Sequence, residues 1–281
     1  MKKQLLVLGG TGKTGRRIVN VLNKQGHNVR VGSRSATPAF DWHQPEGWGK
    51  VLEGMDAVYI TYQPDLAVPG ALEAIEELVK QAKRAGVKRL VLLSGKGERE
   101  AQLCEQVVIH SGLEYTIVRA NWFSQNFSES FLLDPIQQGV VALPMADMQI
   151  PFVDAQDIAE VAAKALTEEG HTSQIYELTG DATYTFETAV AEIAKATGRS
   201  IQFIPVSLEA YVAELHKIGL DKDYVWLIEY LFTEVLGNPD NSIMTNDIER
   251  ILGRKPISFA SYAEDTAKTG VWEEVVRDVT F

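Results

Sequence analysis

Over the first 120 residues, short apolar runs alternate with amphipathic stretches. Gln4–Leu8 is a compact apolar run closed by Gly9 and Gly10, which predicts a buried strand rather than a helix. In 12–25, Ile18, Val21 and Leu22 fall at helical spacing, with Arg16, Arg17 and Lys24 on the wet side, and Gly26 stops the helix. The same alternation continues with a strand over 28–32, a strand over 57–61, a helix over 71–85 and a strand over 88–93. A helix over 98–110 and a strand over 114–118 complete it. The Pro-, Gly- and Trp-rich stretch 35–49 reads mostly as loop, with a short edge strand at 39–42 as an option. Strands and helices joined by Gly-punctuated turns imply a parallel sheet covered by helices on both faces.

After Arg119 the alternation loosens. Residues 121–150 carry aromatics, Pro135 and Pro144 but few clear elements, which suits a segment wrapping a cleft. A helix is predicted over 155–166 and a late strand over 174–178. From Gly180 the pattern is mainly helical, over 185–197, 208–218, 222–236, 246–252 and 259–269. The expected organisation is a nucleotide-binding domain over 1–153, its sheet completed by 154–179. A smaller capping lobe spans 180–281, with 121–150 contributing to the cleft.

The segment richest in chemistry is Gly9-Gly10-Thr11-Gly12-Lys13-Thr14-Gly15, directly after a strand and opening a helix. Glycines allow a tight turn and close backbone approach to a diphosphate, and the helix N-terminus offers free N–H donors at its positive end. The competing reading is a turn with close helix–sheet packing. The strand–turn–helix context favours dinucleotide binding, and the Gly-Lys-Ser/Thr ending of a P-loop is missing. Where a carboxylate would meet a free ribose 2′-OH stand Ser33 and Arg34. An arginine fork there suits a 2′-phosphate, so NADP(H) is expected in preference to NAD(H), with Arg30 and Lys13 as further candidate cations. The competing reading of Arg34 is a solvated loop charge. Asp41 and Trp42 are candidates to border the adenine.

Composition narrows the field. The chain has 281 residues, 27 Lys+Arg against 38 Asp+Glu, and a net charge of −11. That balance disfavours nonspecific binding to nucleic acid or anionic lipid. No run approaches the roughly 18 apolar residues of a membrane span. The apolar run after Lys2 and Lys3 is too short for a signal peptide, and the single cysteine, Cys104, excludes an internal disulfide. A cytoplasmic protein acting on a small molecule is expected, with no metal, because the five histidines show no ligand spacing. Asp154 and Asp157 suit the start of a helix, and Arg119 should pair with an acid or with carbonyls.

In order, GGTGKTG, NVRVGSRS, GMDAVYITY, GVKRLVLLSG, SGLEYTIVRANWFSQNF and PFVDAQDIAEVAAKAL resemble the NmrA-like branch of the atypical short-chain dehydrogenases/reductases. The likeness runs from residue 2 to about residue 200. Within that branch it is similar to bacterial NAD(P)H-dependent quinone, azo-dye and triphenylmethane-dye reductases. The resemblance implies a Rossmann-like, doubly wound α/β fold with a smaller, mainly helical C-terminal lobe and a substrate cleft between them. It also implies that Thr61, Tyr62 and Gln63, Ser94 and Gly95, and the segment 120–123 approach the nicotinamide half, with Phe152 and Val153 bordering the same cleft.

One departure shapes the expected mechanism. None of the nine tyrosines has a lysine four residues on, so the Tyr-x-x-x-Lys acid of typical members is absent. Reducing an ordinary ketone needs a placed acid, whereas a quinone, azo bond or cationic dye gives a delocalised product. Catalysis would then be mostly proximity in an apolar slot, with Trp122, Phe123, Phe152, Trp226 and Tyr230 as wall candidates and Tyr62 or Ser94 positioning the acceptor. Any of these aromatics could instead be core. The alternative function is a redox sensor that binds NAD(P) without turnover and signals through a protein partner.

Overall fold

The computed structural model describes residues 3–274; Met1, Lys2 and residues 275–281, the last seven assigned by the sequence to the C-terminal lobe, lie outside the described residues. The chain begins β1 (Gln4–Leu8), α1 (Gly15–Lys24), β2 (Asn28–Gly32), α2 (Trp48–Leu52), β3 (Ala57–Ile60) and α3 (Ala71–Arg84). It continues through β4 (Arg89–Gly95), α4 (Arg99–Ile109), β5 (Glu114–Ala120), α5 (Asn126–Glu129), α6 (Leu133–Gln138) and β6 (Val140–Leu143). Next come α7 (Ala155–Thr167), β7 (Gln174–Leu178), α8 (Phe186–Thr197), β8 (Gln202–Pro205), α9 (Leu208–Lys217) and α10 (Lys222–Tyr230). The last elements are α11 (Asp247–Leu252) and α12 (Phe259–Ala267).

The chain divides into two units that interleave along the sequence. The first holds the chain up to Ala120, Ala155–Leu178 and Thr245–Arg254; the second holds Asn121–Asp154, Thr179–Met244 and the chain from Lys255 on. The expected boundaries at 153 and 180 therefore differ from the observed division, most visibly where 245–254 returns to the first unit.

In the first unit six parallel strands run in the order β2-β1-β3-β4-β5-β7. From β1 the chain steps to β2 on one side and then crosses to β3 on the other. This reversal opens a crevice at the carboxyl ends of β1 and β3. Leu6, Leu8, Val58, Ile60, Leu90, Leu92 and Ile117 bury one sheet face against α2, α3 and α4, which contribute Trp48, Leu52, Ile75, Leu78 and Cys104. By strand alternation Leu5, Val7, Tyr59 and Val91 face the other way, where α1 and α7 pack.

The edge strand β7 is covered by side chains rather than by another strand. Asp247 Oδ2 accepts from the Glu177 N–H at 2.8 Å, and the Thr245 hydroxyl donates to the Glu177 carbonyl. Arg254 then binds Asp157 of α7 at 2.7 Å and Glu160 at 2.6 Å. These bonds place α11 on the sheet, where its sequence position suggested the lobe. The stretch 35–49 is also more ordered than a loop. It ends in a turn of 3-10 helix at Pro45–Gly47 and in α2, and it has no strand at 39–42, because the Phe40 N–H turns back to the Ser33 carbonyl at 2.9 Å.

The second unit is a helical body around a two-stranded parallel ribbon of β6 and β8 that the sequence pattern did not reveal. Its core is aromatic: Phe127, Phe152, Phe186, Phe232, Phe259 and Trp272 are buried together. Trp272 Nε1 donates to the Phe127 carbonyl at 2.8 Å, and the Tyr262 hydroxyl donates to Ser128 Oγ at 2.7 Å. The helix predicted over 222–236 ends at Tyr230 and widens into a π-helical turn at Leu231–Leu236.

Candidate active site

The turn between β1 and α1 assigns a different task to each glycine. Gly9 takes a positive φ of 63°, and a side chain there would strike Thr61 Cγ2 of the loop after β3 at 2.6 Å. Gly15 packs helix to strand, since a Cβ would lie 2.2 Å from the Gly9 carbonyl oxygen. Gly12 would meet only that same oxygen, at 3.1 Å, so the space beyond it is open. The Gly12 N–H is used inside the turn, to Gly9 O at 2.8 Å. The N–H groups of Thr11, Thr14 and Gly15 have no acceptor among the described residues. Three unpaired donors at the amino end of α1, in the sheet's crevice, form a cradle that fits a diphosphate.

The side chain of Thr14 faces inward. Its hydroxyl and that of Tyr59 lie 2.9 Å apart, tying α1 to β3, so Thr14 can serve a ligand only through its backbone. Burial raises the Tyr59 pKa further above its ordinary value, and Tyr59 stays neutral. Thr11 is exposed and Lys13 half-buried, with the Lys13 carbonyl accepting from Arg17 Nη1 at 2.7 Å.

At the end of β2, Arg34 is exposed with no ion pair among the described residues, beside Ser33, whose Oγ lies 3.3 Å from Ser35 Oγ. Arg30 does not join them. Its Nη1 donates to the carbonyls of Val51 at 2.8 Å and Glu53 at 2.9 Å, capping the end of α2, so it is not the further cation that its sequence position suggested. Asp41 organises the same loop: Oδ1 accepts from the His43 N–H at 3.0 Å and its carbonyl from Trp48 Nε1 at 2.7 Å. Phe40, Trp42 and Trp48 pack ring to ring, and Trp42 meets Tyr62 at 4.8 Å between centroids. Trp42 thus anchors the loop and joins it to the one after β3.

Tyr62 is half-buried, and its pKa is raised by burial, then by Cys104 and Glu73. No cation lowers it, so it can donate a hydrogen bond but is a poor acid. Gln63 is exposed. Cys104 is fully buried, its thiol pushed up to about 12 chiefly by burial, so it is a packed residue and not a nucleophile.

At the end of β4, Ser94 Oγ donates to Glu105 Oε1 at 2.6 Å. Its single hydrogen is therefore committed, and Ser94 can only accept from a bound molecule. Glu105 is fully buried and held from the other side by Arg119, with Nε at 2.9 Å from Oε1 and Nη2 at 2.7 Å from Oε2. Arg119 also reaches Glu177 at 3.2 Å, and Lys96 Nζ lies 3.9 Å from the same carboxylate. The Arg119 pKa is raised, first by its hydrogen bond to Glu105. Gly95 carries the Glu98 carboxyl flat against it: Oε1 lies 1.9 Å from where a Cβ would be. Asp65, in the loop after β3, accepts from the Ala67 N–H at 2.8 Å, and burial, then the charge of Asp65, raise the Glu98 pKa well above the carboxylate range. Asp65, Lys96, Glu98 and Glu177 went unmarked in the sequence, where nothing in their spacing predicts that Asp65 acts on Glu98 or that Lys96 lies near Glu177.

The candidate wall residues lie in the second unit and divide sharply. Phe152 is buried among Phe127, Phe186 and Phe259, a core position and not a cleft wall. Trp122 packs edge-on against Phe131, Phe186 and Phe232, and Phe123 is half-buried beside Val153. Trp226, 42% exposed, stacks on Tyr230 at 5.4 Å. Asp154 accepts from Gln125 Nε2 at 2.8 Å. Among the described residues no group of three or more His, Cys, Asp or Glu could hold a metal, and no helix is long and apolar enough to cross a membrane.

Residues 9–169 match the family model described as NAD(P)H-binding. The chain is 29% identical to the prestalk A differentiation protein A of Dictyostelium discoideum, covering 94% of this chain and 93% of that protein. It is 27% identical to the NAD(P)H azoreductase of Xenophilus azovorans, over 92% and 96%. Among solved structures it resembles the NADPH-dependent quinone oxidoreductase of Escherichia coli complexed with NADPH, with a TM-score of 0.76 and 21% identity, covering 93% of this chain and 99% of that one.

Proposed function

The chain belongs to the NAD(P)H-binding family, and on that footing we propose that this oxidoreductase uses NADP(H) in preference to NAD(H) to reduce a conjugated small-molecule acceptor such as a quinone, azo compound or cationic dye. One observation carries the cofactor half: three unpaired N–H groups at the amino end of α1, in the crevice where the strand order reverses. The turn would hold the diphosphate through Thr11, Thr14 and Gly15, and the α1 dipole would add to the attraction. Arg34 and Ser33 would hold a 2′-phosphate. When bound, the nicotinamide supplies a hydride.

Support for the acceptor half is chemical. Tyr62 is the tyrosine of the β3 loop, yet its neighbours raise its pKa instead of lowering it, and the Ser94 hydrogen is spent on Glu105. Neither residue is placed to protonate a strongly basic alkoxide, so acceptors with delocalised products suit the chain. Relatives named for azo and quinone reduction agree. The Trp226–Tyr230 stack offers a flat apolar surface for such a molecule.

The relative named for differentiation, not for a reaction, favours a second reading, in which the dinucleotide is bound as a signal and a protein partner is engaged. Oxidation of NADPH with a quinone, an azo dye and a triphenylmethane dye separates the two. Steady turnover with one or more acceptors is expected; tight binding without turnover on any of them would support the sensor.

A further inference from the structure

The two units divide the charge of the chain unequally. The second holds 7 Lys and Arg against 19 Asp and Glu, a balance of −12, whereas the first is near neutral with 20 against 19. That acidity bears on the aromatic stack of α10. Trp226 is 42% exposed and lies nearly parallel to Tyr230, with 15° between the ring planes and 5.4 Å between centroids. The other four tryptophans are buried or half-buried. Asp223 and Glu229 stand three residues to either side of Trp226, so on the helix their carboxylates flank the indole on its own face. Both are exposed, and neither has an ion pair among the described residues. Asp221 and Glu234 add charge at the ends of the same stretch, against the single cation Lys222. A flat surface of this kind fits a flat cation: the ring faces attract positive charge, and the carboxylates repel an anion of the same shape.

We infer that the acceptor of this reductase is a delocalised aromatic cation, recognised by the Trp226–Tyr230 stack and the carboxylates of Asp223 and Glu229, an assignment that rests on the function proposed above and narrows it. The chemistry of the first unit agrees. Hydride transfer to such a cation forms one C–H bond at its electron-poor carbon. The hydride brings both electrons, the nicotinamide is oxidised, and the neutral product takes up no proton. A quinone or an azo bond takes one proton besides the hydride in the same reduction. The Tyr-x-x-x-Lys acid is absent and the Ser94 hydrogen is held by Glu105, so the chain is equipped for the acceptor that needs no donor. Reduction also removes the charge that the carboxylates hold, which favours release of the product.

The test compares a cationic triphenylmethane dye with a sulfonated, net-anionic dye of the same skeleton and with a neutral naphthoquinone. Titrated into the nucleotide-free protein at about 10 mM salt, the cationic dye should bind about 10-fold more tightly than the sulfonated one, and the difference should shrink at about 1 M salt. In turnover with NADPH, the ratio of cationic-dye to quinone kcat/KM should fall about 10-fold in the double variant Asp223→Asn, Glu229→Gln, through KM rather than kcat, and similarly in Trp226→Leu. Equal binding of the two dyes by wild type, or a ratio unchanged in both variants, overturns the inference and leaves the reductase reading intact. No turnover with any of the three acceptors overturns the reductase reading and, with it, this assignment.

Discussion

Ser94 Oγ gives its hydrogen to Glu105 Oε1, 2.6 Å away, on a carboxylate whose other edge is clamped by the Arg119 fork. That buried ion pair fixes the ends of β4 and β5, the strands that present Gly95 and Ala120. Removing one partner strands a charge. Glu105→Ala should destabilise the protein by about 3–5 kcal/mol, whereas Ser94→Ala should cost about 1 kcal/mol. Urea unfolding midpoints of the two variants check the difference; equal losses would contradict it.

Gly15 is the tightest point of the β1–α1 turn. In Gly15→Ala the new methyl would lie 2.2 Å from the Gly9 carbonyl oxygen, so the amino end of α1 must move. A loss of about 1–3 kcal/mol in stability is expected, together with loss of nucleotide binding at temperatures where the variant stays folded. Gly12→Ala, with one contact at 3.1 Å, should fold nearly normally and yet bind poorly, because its methyl occupies the open side of the turn. Calorimetry on the two variants distinguishes them.

Arg34 is exposed and has no ion pair among the described residues. Arg34→Asp should therefore leave stability unchanged and weaken NADPH by about 10–100-fold more than NADH. Equal weakening of both nucleotides, measured by titration, would remove the 2′-phosphate role.

The acid pair has a signature in stability. A carboxyl whose pKa is raised on folding holds a proton that the unfolded chain releases, so its stabilising contribution is full below the unfolded value of about 4.3 and is lost as pH rises through the folded one. Glu98→Gln removes that titration, and above pH about 5 the stability of the variant should fall less with pH than that of wild type. Denaturant midpoints measured across the pH range give the slopes; parallel curves would show that Glu98 titrates normally.

Much of this was legible in the sequence because the signals are local. The β1–α1 turn could be read from its glycines, since Gly12 and Gly15 answer contacts within the turn itself, and the parallel sheet from short apolar runs between Gly-ended helices. The return of 245–254 to β7 was not, because it depends on Thr245 and Asp247 meeting a strand edge about 70 residues earlier. The ribbon of β6 and β8 was hidden for a related reason: each strand is four residues long, too short for a periodicity to register. Phe152 was read as a wall and proved to be core, as an aromatic residue carries no mark of which it will be. Arg30 was a candidate further cation and instead caps the short helix Trp48–Leu52, which the sequence reading did not mark.

A crystal structure of the protein with NADPH tests the central claim most directly. The diphosphate oxygens should lie about 2.7–3.2 Å from the N–H groups of Thr11, Thr14 and Gly15, with the 2′-phosphate against Arg34. Nucleotide bound elsewhere, or crystals that take up none from saturating solution, would contradict it.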